Sequence, residues 1–94
     1  MRERKPWSVY MLRTRAGALY TGIALDVDQR IDLHSRGRGA KALRGRGPLV
    51  LVFRAILGTK SAALRAEAAL KRLTRAQKLA FLGGRSLPPR GYGR

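Results

Sequence analysis

Apolar and polar residues alternate near the start of the chain. Trp7, Val9 and Met11 fall on one side and Ser8, Tyr10 and Leu12 on the other, the two-residue period of a strand over Trp7 to Thr14. Ala18 to Ala24 predicts a second strand. Arg15-Ala16-Gly17, between them, fits a hairpin loop ending on a left-handed residue, a conformation glycine adopts without steric cost. That loop sets Tyr10 opposite Gly22 and Leu12 opposite Tyr20. Both tyrosines then share one face, with open space expected over Gly22. A slip of one residue would part them.

The period then lengthens. Val27, Ile31 and His34 recur on one helical face, with Arg30 beside them. Asp26 is placed to cap this helix, and Gln29 completes a capping-box pattern. The helix should fade near Ser35 or Arg36. Residues 35–48 read as a loop with one helical turn at Ala40 to Leu43. Leu49 to Ile56 is apolar except for Arg54 and predicts a third strand, buried on both faces and ended by Gly58. Ser61 to Leu73 is a second amphipathic helix, capped by Thr59 or Ser61, with Ala63, Ala66, Leu70 and Leu73 as its stripe. Thr74 opens a third, short helix to about Leu82. Residues 83–94 read as a Gly-, Pro- and Arg-rich tail, residues 1–6 as a basic arm, and 7–82 as the domain. The order β-β-α-β-α-α predicts an α+β domain, a small three-stranded, mainly antiparallel sheet flanked by helices.

Composition narrows the partner. The chain has 94 residues, enough for one domain. Lys and Arg number 21 against 5 Asp and Glu, a net charge of +16. So basic a domain calls for a polyanion: nucleic acid first, and an anionic membrane surface second. No apolar run approaches the roughly 20 residues of a membrane span. The N-terminal segment is too short and polar for a signal peptide. There is no cysteine, which excludes disulfides and thiolate metal sites and fits a reducing cytoplasm.

The acids are few: Glu3, Asp26, Asp28, Asp32 and Glu67. Asp26 and Asp28 sit where a helix dipole favours them. Glu67 borders the apolar stripe of the second helix and needs either an ion pair, with Lys71 or Arg65, or a metal. Arg30 and His34 lie one turn apart, a combination suited to phosphate. The alternatives are an Arg30–Asp26 ion pair and a packed His34 ring whose charge the helix C-terminus would favour. Tyr10 and Tyr20 are either core aromatics or part of a site. Arg36, Arg38, Lys41, Arg44 and Arg46, interleaved with four glycines and no acid, suit a phosphate backbone; the bland alternative is a solvated loop. One histidine and no cysteine make no zinc set.

Ser8-Val9-Tyr10, followed by Tyr20-Thr21-Gly22, resembles the paired segments of the GIY-YIG nucleases. Asp26 to His34 is similar to that family's first helix with its arginine, and Glu67 falls where the family carries its metal-binding glutamate. Gly39 to Gly45 and Leu64 to Glu67 resemble the small single-domain bacterial members. The resemblance implies hydrolysis of a DNA phosphodiester with one Mg²⁺ or Mn²⁺, an endonuclease acting on structured DNA or in DNA repair. Glu67 would hold the metal, Tyr10 or Tyr20 would orient or deprotonate the attacking water, and Arg30 would steady the phosphate with His34 assisting. Lys71 joins the loop cations as a contact to the nucleic acid. Ser8-Val9 stands for Gly-Ile and Thr21 for Ile. Many members carry an asparagine after the glutamate; this chain has none, and Lys71, Gln77 and Lys78 are the candidates to replace it.

Overall fold

The computed structural model describes residues 5–84. Most of the expected basic arm and of the tail lies outside them. Strands β1 (Trp7–Arg13) and β2 (Leu19–Ala24) are followed by helix α1 (Val27–Ser35), a 3₁₀ turn at Lys41–Leu43, strand β3 (Val50–Gly58) and helices α2 (Lys60–Lys71) and α3 (Arg75–Gly84). The sheet is antiparallel throughout, in the order β2-β1-β3.

The hairpin has the expected register, Tyr10 opposite Gly22 and Leu12 opposite Tyr20. Gly17, at φ 95°, supplies the left-handed residue. Thr14 holds the turn from both its backbone and its side chain. Its N–H donates to the Ala18 carbonyl at 2.9 Å, and its Oγ1 accepts from the Ala18 N–H at 3.1 Å.

The helices start where their caps lie. Asp26 Oδ1 accepts the Gln29 N–H at 2.9 Å, while Oδ2 takes Lys5 Nζ at 3.0 Å. Thr59 caps α2 through the Ala62 N–H. Thr74 and Gln77 close a reciprocal box at the start of α3, each side chain taking up the other's N–H.

β1 is the strand covered on both faces: Ser8 to Leu12 are all buried. The third strand corrects the expectation made for it. Leu51, Val52 and Phe53 are buried, but Arg54, Ile56 and Leu57 are exposed, Ile56 at 71%. β3 is an edge strand, and its second half runs beyond the helical cover.

Two cores flank the sheet. Val9, Met11, Val52, Phe53 and Leu70 pack with Ala66, Leu73 and Phe81 under α2 and α3. Tyr10, Leu12, Ala24, Val27, Leu43 and Leu51 pack with Tyr20 and Ile31 under α1 and the 3₁₀ turn.

Candidate active site

Alternation along β1 and β2 delivers Tyr10 and Tyr20 to the α1 face, and α1 brings His34 down onto them. Ring centroids are 6.4 Å apart for Tyr10–Tyr20, 6.2 Å for Tyr10–His34 and 5.6 Å for Tyr20–His34, the last edge-to-face. Tyr10 and His34 are buried, at 1% and 3% exposure, and Tyr20 is half-buried. The space over Gly22 is not open, contrary to expectation. The Tyr10 ring occupies it, and a Cβ at residue 22 would lie 2.6 Å from Tyr10 Oη and 3.1 Å from Tyr20 Cε2.

The hydrogen bonds of His34 fix its tautomer. The Ala40 N–H donates to Nδ1 at 2.9 Å, so Nδ1 carries the lone pair. The proton of the neutral ring is therefore on Nε2, which donates to Tyr10 Oη at 2.9 Å. The phenol proton of Tyr10 is left to point elsewhere. Gly39 lies directly against this ring, and a Cβ there would collide with His34 Nδ1 and Cε1.

Charge on His34 runs against expectation. The helix dipole was expected to favour protonated His34, yet its pKa is lowered, first by burial and then by the Arg30 guanidinium. Burial first, then Tyr20 and Glu67, hold the Tyr10 phenol well above its ordinary pKa against the lowering effect of Arg30.

Arg30 itself is exposed, and no ion pair joins it to Asp26 among the described residues; Asp26 is held by Lys5 instead. Glu67 forms one of the pairs foreseen for it. Lys71 Nζ lies 3.3 Å from its carboxylate, whereas Arg65 donates to Ser61 Oγ at 2.8 Å. The Glu67 side chain is 20% exposed, less than Asp26, Asp32 or Asp28 at 36%, 57% and 81%. Tyr10, Tyr20 and His34 thus touch, while Arg30 and Glu67 act on Tyr10 through their charges.

In the basic loop Arg36 is paired with Asp32 at 3.1 Å. Arg38, Lys41, Arg44 and Arg46 are exposed and in no ion pair among the described residues. Of the candidates to replace the asparagine, Gln77 is occupied in the α3 cap and Lys71 is the one at Glu67. Neither the Ala40 N–H nor Gly39 was legible in the sequence as part of the site. The two consecutive loop residues looked only like a glycine-rich approach to phosphate. Thr21, between Tyr20 and Gly22, faces the opposite core, where its buried hydroxyl has no partner.

A three-stranded antiparallel sheet with a Tyr–Tyr–His cluster on one face defines the class. The chain belongs to the GIY-YIG family, matching the GIY-YIG catalytic domain over residues 6–80, and the family is one of nucleases. Its relatives include UPF0213 protein SG0387 of Sodalis glossinidius (strain morsitans), 54% identical over 76 residues, covering 81% of this chain and 71% of that one. UPF0213 protein YhbQ of Escherichia coli (strain K12) is 55% identical over 73 residues, 78% of this chain and 73% of its own length. The solution NMR structure of UPF0213 protein BH0048 from Bacillus halodurans superposes with a TM-score of 0.58 at 40% identity, covering 87% of each chain. No helix among the described residues is long and apolar enough to cross a membrane.

Proposed function

We propose that the chain is a divalent-metal-dependent endonuclease that hydrolyses a phosphodiester of DNA, with structured or damaged DNA as its substrate and repair in the cytoplasm as its setting. One observation carries this reading: the Tyr10–His34–Tyr20 cluster has a fixed tautomer, and the charges of Arg30 and Glu67 both act on its buried phenol. Phosphoryl transfer depends mainly on positioning and on charge stabilisation, and these are the properties that such a cluster supplies.

The donor set fits one kind of metal. Among the described residues no three His, Cys, Asp or Glu gather. A lone, largely buried carboxylate suits Mg²⁺ or Mn²⁺, which keep most of their waters and accept phosphate oxygen; it does not suit zinc. Glu67 would hold the cation in place of its ion pair with Lys71. The chemistry such a cation would supply is polarisation of the phosphoryl oxygen and a lowered pKa for its bound water.

The remaining roles follow from exposure and hydrogen bonding. Arg30, exposed and in no ion pair among the described residues, meets the phosphate. Tyr20, the less buried of the two phenols, orients the attacking water. Tyr10 remains protonated and holds its hydroxyl in place through His34. His34 acts as a donor rather than a base, because its lone pair is occupied by the Ala40 N–H. Arg36, Arg38, Lys41, Arg44 and Arg46 line the path of the backbone.

The test is incubation of the purified chain with branched, nicked and single-stranded DNA, with Mg²⁺, Mn²⁺ or EDTA. Metal-dependent cleavage that Glu67→Gln abolishes is expected; no cleavage of any substrate overturns the reading. The Glu67–Lys71 ion pair favours a second reading, a non-catalytic module that binds DNA or RNA. In that case Glu67→Ala binds as tightly as the parent or more so, because a repulsive acid is gone, and metal-dependent cleavage rejects it.

A further inference from the structure

The basic loop is not uniform. Arg44 and Arg46 flank Gly45, which turns the chain at φ 70°, and the Arg15 N–H donates to the Arg46 carbonyl at 3.1 Å. That bond joins the hairpin tip to the loop. Together Arg15, Ala16, Arg44, Gly45 and Arg46 line an open depression of about 340 Å³. Three of its five lining residues are arginines and none is acidic. The four ion pairs among the described residues use Lys5, Arg36, Arg54 and Lys71, so this trio is unengaged.

The backbone beneath the trio is anchored. Leu43 is buried in the α1-face core, the 3₁₀ turn closes through Arg44 N–H to the Lys41 carbonyl, and Arg75 Nη1 donates to the Gly17 carbonyl at 2.9 Å. A second depression lies alongside and shares Arg46. Its lining includes Thr14, Leu43 and Tyr20. Arg46 therefore joins the depression lined by the trio to the one lined by Tyr20.

We propose that Arg15, Arg44 and Arg46 form a subsite for a nucleic-acid backbone phosphate other than the one cut, with Arg46 leading the strand toward Tyr20. Guanidinium groups present paired donors to phosphate oxygens, and a fixed cradle of three sets where a strand lies. The proposal extends the nuclease reading by giving the strand a direction across the site.

Binding of the full chain to a labelled DNA duplex, read by anisotropy in EDTA over a salt series, tests the subsite whether or not the DNA is ever cut. Arg15→Gln/Arg44→Gln/Arg46→Gln should lower the slope of log affinity against log salt by about 0.9 for each phosphate released. It should lower affinity about tenfold or more at moderate salt. Lys60→Gln/Arg65→Gln/Arg72→Gln removes equal charge elsewhere and should change the slope less. In a methylphosphonate scan, neutralising one phosphate other than the scissile one should weaken the parent and leave the trio variant unaffected. Equal slope changes in the two triple variants, or a scan without such a position, overturn the subsite. Because the three side chains make no hydrogen bond or ion pair among the described residues, the trio variant should unfold at the parent's temperature. A parent that never cleaves DNA but passes both binding tests sinks the nuclease reading and leaves the subsite standing.

Discussion

β1 shows its two sides to different chemistry. Met11 and Tyr10 are neighbours with almost the same burial, 0% and 1%. Met11 enters a core of Val52, Phe53, Leu70 and Phe81, where apolar area and close packing supply the stability. Phe53 and Phe81 meet edge-to-face there at 5.0 Å. Tyr10 enters a core that also contains hydrogen-bonding ring atoms, each with a named partner. Burial alone cannot separate scaffold from site. The separation comes from which buried polar atoms are satisfied, and by what, because an unmade bond there is costly.

Substitutions on the two sides should therefore fail differently. The largest effect is expected from Glu67→Gln. Loss of one charge at the reacting phosphate should slow cleavage about a thousandfold, ~4 kcal/mol of barrier. Its urea midpoint should stay near that of the parent, since the carboxylate's partner is a surface lysine. Met11→Ala should do the reverse. Truncating this fully buried side chain should cost about 3 kcal/mol of stability, measured by urea unfolding, while cleavage per folded molecule is unchanged. If Met11→Ala stops turnover in a still-folded chain, the division between the faces is wrong. Gly39→Ala is smaller and strikes both properties. The added methyl must push the His34 ring aside, at about 1–3 kcal/mol, and cleavage should fall with stability.

The hairpin was legible because its information is local. Three loop residues ending in Gly17 fix the register, and the register puts the tyrosines on one face. Caps at Asp26, Thr59 and Thr74 are local too. The position of β3 in the sheet was not legible. Its apolar run is compatible with the middle of a sheet, and strand order depends on contacts far apart in sequence. The rotation of the Tyr10 ring over Gly22 also escaped, since alternation gives a side chain's face and says nothing of its rotamer. His34 shows two rules in conflict. The dipole at the end of α1 favours a charged ring, but burial and Arg30 prevail. Arg15 looked like an ordinary turn residue until the loop of residues 35–48 returned to it in space.

That conflict at His34 gives the mildest prediction, a pH dependence with a defined sign. An unfolded chain takes up the His34 proton near pH 6.5, its ordinary value. The folded chain takes it up only at lower pH, because its pKa is depressed. Through this interval the unfolded state binds more protons, so stability falls as pH falls. The contribution of His34 is complete above about pH 6.5 and is lost as pH drops through the folded value. His34 is the chain's one histidine, so no second imidazole blurs the window. Protonation must occur at Nδ1, whose lone pair the Ala40 N–H occupies, and so it must detach the start of the 3₁₀ turn. Urea midpoints at pH 7.5 and pH 5 should therefore differ in the parent and differ less in His34→Gln. In an NMR titration the Ala40 amide should shift together with the His34 Cε1 proton, with a midpoint below 6.5. An imidazole that titrates at 6.5 or above, or an Ala40 amide indifferent to it, would mean that the loop is not latched to the ring, and the polar face would lose the feature that distinguishes it from the apolar one.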